Sequence, residues 1–153
     1  MEAIWRGGSR DADLIHVSLR VGLDLEASRI VGTVENSFRA LRDGTDRLRL
    51  HAEDLEIREV NGGDGQALGY RVRDGYVEIN LETPLMVGDE ASVEIEFAAT
   101  PVSGYRSTLR QGEDFAPSAY GSAFPSGLRA WMPTWDAPGD LATLDTRIVL
   151  RDD

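Results

Sequence analysis

The chain of 153 residues contains no cysteine and no lysine, and it has only two histidines, His16 and His51. Without cysteine it can form no disulfide bond, carry no thiolate nucleophile and bind no zinc through sulfur. Without lysine it has neither a Schiff-base amine nor a phosphate-loop lysine. We therefore expect no metal site and no cofactor within this chain.

Positive charge is also scarce, because 16 basic residues stand against 27 acidic ones and the net charge is −11. Binding to nucleic acid or to an anionic membrane surface needs a basic patch, so neither is an expected partner. No apolar run approaches the roughly 20 residues that span a bilayer. Residues 1–12 lack the hydrophobic segment of a signal peptide, which predicts a cytoplasmic protein.

Apolar and polar residues alternate along most of the chain, a pattern that predicts β-strands. Residues 15–23 alternate with one apolar face, and residues 29–41 follow after a short turn, which predicts an antiparallel hairpin. Asp74-Gly75 between two alternating runs is a strong hairpin signal. No window shows a sustained helical period. The pattern therefore predicts an all-β fold of antiparallel, curved sheets or a sandwich, with one domain at 13–153 after a flexible lead-in at 1–12.

A long segment rich in glycine, proline and aromatic residues, 101–138, interrupts the strands before alternation resumes at 142–150. A loop of this length in a compact domain is usually functional or packs on a partner. Near the end of this segment, an extended backbone would place the indoles of Trp131 and Trp135 on one face. Arg129 would neutralise the carboxylate of Asp136 in a tight turn. The residues of this motif are Arg129, Trp131, Pro133, Trp135, Asp136 and Pro138.

Two interpretations of this aromatic motif are open. The motif can form an exposed platform for a ligand, or it can form an aromatic corner that locks the long loop to the sheet. We favour the corner, because large aromatic side chains mostly pack in protein interiors.

Catalytic motifs are absent from the sequence. His51 has no second histidine one helical turn away, and His16 and His51 are expected at polar positions on the outward faces of different strands. The serines at 122 and 126 lie in no nucleophile-elbow motif, and no histidine follows them. The chain alone is therefore not expected to be an enzyme.

Residues 132–138 read Met-Pro-Thr-Trp-Asp-Ala-Pro, and residues 141–144 read Leu-Ala-Thr-Leu. The two segments and the preceding Arg129 resemble the N-terminal domain of the M1 family of zinc metallopeptidases, the aminopeptidase N and leukotriene A4 hydrolase group. That family carries Phe-Pro-Cys-Phe-Asp-Glu-Pro followed by Lys-Ala-x-Phe. Residues 15–34 are similar to the family's opening hairpin, and Gly-Tyr-Arg-Ser at 104–107 is similar to a further family element.

The resemblance implies a saddle-shaped antiparallel β-domain that lies beside the active-site cleft of a longer parent protein and helps to shape its substrate pocket. The partners would be the catalytic domain of the same polypeptide, which would hold the zinc, and the parent's peptide substrate. The family has a Gln-x-Glu element that helps to hold the substrate's amino terminus, and Ser122 and Phe124 occupy those positions here. Either the loop is rearranged or the amine is held differently. Tyr120, Ser122 and Phe124 are the candidate substrate-pocket residues.

Two other functions are compatible with the sequence. The chain can be a self-contained β-sandwich that binds a partner through Trp131, Trp135 and Tyr120. It can also be part of a degenerate, non-peptidase scaffold of the M1 type. A gene that continues for several hundred residues with a His-Glu-x-x-His motif would favour the peptidase.

Overall fold

The computed structural model of the chain describes residues 10–101, 105–108, 118–122, 127–137 and 140–150. These residues are mostly β-strand, with one short 3₁₀ helix at Leu128–Ala130. The strands are β1 (Ala12–Asp24), β2 (Arg29–Ala40), β3 (Thr45–His51), β4 (Glu56–Gly62), β5 (Tyr70–Arg73), β6 (Tyr76–Leu85), β7 (Glu90–Ala99), β8 (Tyr105–Thr108), β9 (Ser118–Gly121) and β10 (Thr143–Leu150).

Two sheets carry the fold, and a separate hairpin is formed by β8 and β9. The larger sheet has the order β10-β1-β2-β7-β4, and the smaller has the order β3-β6-β5. All paired strands run antiparallel except β1 and β10, which run parallel. The prediction of an all-β, mostly antiparallel fold is confirmed.

One apolar core lies between the two sheets, built from the inward positions of their strands. The alternation predicted along the sequence produces it, because every second side chain of a strand points to the same face. The side chains at the centre of this core are Val34, Leu50, Val77, Ile79, Val93, Ile95 and Phe97.

The first strand differs from its prediction in one detail. The pairing register of β1 with β2 shifts between Leu14 and His16, which is the sign of a β-bulge. As a result Leu14 is buried and Ile15 is only half-buried, whereas simple alternation placed Ile15 on the inner face. A bulge adds one residue to one strand, so it reverses the facing of the residues on one side of it.

The turn between β5 and β6 has the geometry that its sequence predicts. Asp74 and Gly75 have φ angles of 53° and 77°, and Arg73 pairs with Tyr76 across the turn. Two central residues with positive φ match the twist of the flanking strands, which is why Asp-Gly is favoured there.

The predicted lead-in lies largely outside the described residues. Of its last three residues, Arg10 forms ion pairs with Asp13 and Asp140, and Ala12 begins β1. No helix in the described part of the chain is long and apolar enough to cross a membrane.

Candidate functional site

The segment 127–137 closes on itself through Arg129 and Asp136. The backbone N–H and the Nε of Arg129 donate to the Asp136 carboxylate at 3.2 and 3.1 Å, and an Nη of Arg129 donates to the Asp136 carbonyl at 2.6 Å. Asp136 is buried, so its charge needs these partners. The pairing expected from the sequence is therefore present as a three-bond clamp.

The same segment is attached to the outer edge of β3. His51 and Thr134 exchange two backbone hydrogen bonds of 2.9 and 3.1 Å, and the backbone N–H of Glu53 donates to the carbonyl of Arg129 at 2.8 Å. A single pair of this kind extends the smaller sheet by one short bridge. It fixes the position of the aromatic motif relative to the core.

A buried polar pair fastens the segment to the larger sheet. Asn36 on β2 and Thr134 are almost completely buried, and the Thr134 hydroxyl donates to Asn36 Oδ1 at 2.9 Å. The Asn36 amide donates to the carbonyl of Pro133 at 3.2 Å. Asn36 was not among the predicted site residues, although a polar residue two positions from both Val34 and Phe38 on an apolar face is a signal of an internal polar partner.

Both tryptophans of the motif pack against the apolar core and are half-buried. Between them Met132, Pro133 and Thr134 are buried. The indole nitrogens of Trp131 and Trp135 are buried and have no hydrogen-bond partner among the described residues. This packing favours the aromatic corner over the exposed platform.

His51 lies at the centre of this arrangement rather than on an outward face, so the expectation for it was wrong. It is only 7% exposed, because Trp135 and Tyr76 cover its ring at centroid distances of 5.1 and 4.8 Å. Its Nδ1 accepts a hydrogen bond of 3.1 Å from the backbone N–H of Asp136, which requires an unprotonated Nδ1. His16, in contrast, is half-buried and shares a 2.7 Å hydrogen bond with Thr143.

The surroundings of His51 favour its neutral form. Burial lowers the pKa of His51 to about 4, and the cations of Arg129 and Arg49 act in the same direction. The Asp136 carboxylate and the backbone contact with Thr134 raise the pKa but do not outweigh burial. At neutral pH the ring is therefore an uncharged acceptor, suited to holding the turn.

A cavity of about 420 Å³ lies beside the aromatic motif, along the edge of β3. Arg49 lies over one of its walls, with its guanidinium 3.7 Å from the centre of the Tyr76 ring. The residues that line the cavity include Arg10, Phe38, Arg47, Arg49, Tyr76 and Trp135.

The candidate substrate-pocket residues are only partly described. Tyr120 lies on β9 and is 68% exposed, and Ser122 follows that strand and is half-buried. Phe124 lies outside the described residues, as does Pro138 of the aromatic motif. Tyr120 and Ser122 therefore belong to a different part of the chain from the packed motif at 127–137.

The described residues do not fit a zinc ion. They contain no group of three or more histidine, cysteine, aspartate or glutamate side chains that could hold a metal. A zinc site needs three or four such ligands.

Comparison with known protein families identifies the family of this chain. The family model described as the peptidase M1 N-terminal domain matches residues 14–153, and the chain belongs to this family. No curated protein matches the chain significantly.

Solved structures of M1 enzymes share the fold. Native leukotriene A4 hydrolase from Saccharomyces cerevisiae matches 92% of this chain with a TM-score of 0.78 and 21% identity. The M1 zinc metallopeptidase from Deinococcus radiodurans matches 92% with a TM-score of 0.72 and 22% identity. A variant of the latter bound to a Tyr-Ser-Ala substrate matches with a TM-score of 0.76 and 22% identity. The chain spans only 23% of the yeast enzyme and 33% of the bacterial one.

Proposed function

We propose that this chain is the non-catalytic N-terminal β-domain of an M1-type zinc aminopeptidase, in which it lies beside the active-site cleft and helps to shape the substrate pocket. Family membership supports the domain assignment, and zinc metallopeptidases are among the solved structures that share its fold. In this proposal the catalytic domain of the same polypeptide supplies the zinc and the general base. A peptide is the substrate of the parent protein.

The exposure of Tyr120 carries the proposal for the substrate pocket. Trp131 and Trp135 pack on the core, whereas Tyr120 is 68% exposed on a short hairpin strand. An exposed aromatic ring gives a binding site much apolar contact area at a small entropy cost. We infer that Tyr120 contacts the peptide substrate in the parent protein.

The residues after Tyr120 suggest how the parent differs from its family. Ser122 and Phe124 stand where the family has Gln-x-Glu, so neither position offers a carboxylate to the substrate's amino terminus. A buried ammonium group without an anionic partner binds weakly. We propose that the parent holds the free amino terminus less tightly than its relatives do.

The test uses the parent protein expressed from its complete gene. Tyr120→Ala should raise KM for peptide substrates several-fold with a smaller effect on kcat, because contact with the substrate is lost and the zinc chemistry is not touched. Tyr70→Ala is the matched control, since Tyr70 is 38% exposed on β5 of the smaller sheet and should leave KM unchanged.

A parent without zinc-dependent aminopeptidase activity would contradict the peptidase assignment. An active parent in which both tyrosine variants behave alike would contradict the role of Tyr120 alone. Phe124→Glu adds a check on amine recognition, since it should lower KM for free-amine substrates but should not tighten the binding of their N-acetylated forms, measured as competitive inhibition.

A further inference from the structure

The cavity of about 420 Å³ along β3 has no role in the proposed function. β3 is an edge strand of the smaller sheet, and the cavity lies against that edge. Arg47 and Arg49 line it from one face of β3, whereas Leu48 lines it from the core side. Sites for small organic ligands typically measure about 300–1,000 Å³. This β3 cavity is therefore large enough for a ligand with one or two aromatic rings.

The positive charge of the β3 cavity is on three arginines that differ in how closely they are paired. Arg10 already forms ion pairs with two aspartates. Arg49 is 3.9 Å from Glu78, which is a long contact for an ion pair, and Arg47 forms no ion pair with any described residue. The carboxylate of Asp11, which also lines the cavity, is paired with an arginine outside it. The charge that a ligand can use is thus that of Arg47 and Arg49.

Arg47 and Arg49 form one cationic wall of the cavity. They are two positions apart on a strand, so their side chains point to the same face. The guanidinium of Arg49 stacks on the Tyr76 ring at 3.7 Å from its centre, and this contact restricts its movement. A guanidinium presents its N–H groups as a planar fork that matches the two oxygens of a carboxylate. Stacking through one flat side leaves that fork free to donate.

Much of the remaining lining is aromatic. Tyr76 and Trp135 are half-buried, and Phe38 on β2 is buried. Aromatic rings give a flat apolar group a large contact area, and stacking of ring on ring adds to the attraction. A ligand that suits both kinds of wall therefore carries an anionic head on a flat apolar body.

We propose that the β3 cavity binds a small aromatic carboxylate, whose carboxylate pairs with Arg47 and Arg49 and whose ring lies against the aromatic walls. A carboxylate is favoured over a phosphate because it carries a single negative charge, and a chain of net charge −11 repels a dianion more strongly. The inference does not use the peptidase assignment. It requires only that the cavity is open in the parent protein.

Ligand-observed NMR titrations of the parent protein at low ionic strength test the binding. We expect 2-naphthoate to bind with a Kd of about 1 mM or lower. 2-Naphthamide has the same shape without the charge and should bind about tenfold more weakly. 2-Naphthyl phosphate should also bind more weakly than 2-naphthoate. Equal affinities for naphthoate and naphthamide, tighter binding of the phosphate, or no binding of naphthoate would each overturn the proposal.

Arg49 and Arg71 provide a matched pair of substitutions. Both are exposed and both pair in register with Glu78, Arg49 from β3 and Arg71 from β5, but only Arg49 lines the cavity. Arg49→Gln and Arg47→Gln should each weaken the binding of 2-naphthoate by about tenfold, because each removes a charged donor. Arg71→Gln should leave it unchanged. Equal effects of Arg49→Gln and Arg71→Gln would contradict binding in the β3 cavity.

The zinc of the parent protein is a competing site for a carboxylate. The titrations are therefore repeated after the zinc has been removed with a chelator, and the affinity for 2-naphthoate should not change. Binding that is lost together with the zinc would place the ligand at the catalytic centre, and the proposal would be wrong. Peptidase activity is measured separately and should be the same in Arg49→Gln as in the wild type. A parent that binds 2-naphthoate through Arg49 but has no zinc-dependent peptidase activity would contradict the proposed function alone.

Discussion

At the scale of single residues, His51 shows how burial converts a titratable side chain into a fixed hydrogen-bond acceptor. Its ring lies between Trp135 and Tyr76 and accepts the backbone N–H of Asp136. Protonation would remove that acceptor and place a cation near Arg129 and Arg49. The sequence could not show this, because the residues around the ring are distant along the chain: Tyr76 is 25 positions from His51, and Trp135 and Asp136 are about 85 positions from it.

The lowered pKa of His51 makes stability depend on pH. The unfolded chain binds the proton below about pH 6.5, whereas the folded chain does so only below about 4. Between these values the unfolded state holds more protons, so stability falls as the pH falls. From pH 7 to pH 5 we expect His51 to account for a loss of about 2 kcal/mol.

Urea titrations of the wild type and of His51→Asn at pH 7, 6 and 5 measure this contribution. Asparagine keeps an acceptor oxygen but does not titrate, so the variant should be less stable at pH 7 and show a flatter pH dependence. A variant whose stability declines as steeply as that of the wild type would show that His51 does not cause the effect.

The aromatic corner predicts a different pattern of losses. Trp135→Ala should lower the free energy of unfolding by about 3 kcal/mol, because it opens a gap against the core and uncovers His51. Asp136→Ala should lower it by about 1–3 kcal/mol, since it leaves the backbone N–H and the Nε of Arg129 without their acceptor.

Tyr120→Ala is the control for these two changes, because that side chain is exposed and should alter stability by less than about 0.5 kcal/mol. Denaturant midpoints of the three variants decide the matter. A Trp135→Ala midpoint close to that of Tyr120→Ala would favour the exposed platform instead of the corner.

At the scale of the elements, alternation predicted where strands occur better than how they are arranged. Val93, Ile95 and Phe97 alternate in the sequence and are completely buried in β7. The same alternation predicted a strand at β10, but it could not show that β10 runs parallel to β1 or that its inner face is exposed. Strand direction and cover depend on contacts between distant segments, which a local pattern does not contain.

The close pairing of β1 with β2 depends on a glycine. A Cβ at Gly32 would collide with the backbone carbonyl of Arg20 and with Val21, so only glycine fits there without a shift of the backbone. Gly32→Ala should therefore destabilise the protein by about 1–3 kcal/mol.

Gly22, on the partner strand, is the matched control. A Cβ there would be 3.7 Å from the carbonyl oxygen of Val31, which is ordinary contact. Gly22→Ala should be neutral or stabilise the fold by up to about 1 kcal/mol, because alanine reduces the entropy of the unfolded chain. Thermal unfolding of the two variants provides the measurement, and equal losses would mean that the β1–β2 spacing is not limiting at Gly32.

At the scale of the whole molecule, the net charge of −11 produces a general repulsion between like charges, which opposes the attraction within the local ion pairs. Most of these pairs are exposed, such as Arg29 with Glu56 and Arg39 with Glu90. Exposed pairs contribute little to stability, typically below about 1 kcal/mol each, so little stability is lost when salt screens them. The excess of negative charge acts over the whole surface and is screened when the Debye length shrinks from about 30 Å at 0.01 M salt to about 8 Å at 0.15 M.

We therefore expect added salt to stabilise this chain rather than destabilise it. Raising sodium chloride from 0.01 to 0.15 M at pH 7 should increase Tm by a few degrees, because screening of the repulsion outweighs the weakening of exposed ion pairs. Most of the gain should come in this range, before salt effects on apolar hydration become important at molar concentrations. The clamp of Arg129 and Asp136 is buried and hydrogen-bonded, so it should be screened far less. A Tm that falls over this range would show that specific ion pairs, and not the net charge, dominate the electrostatic part of the stability.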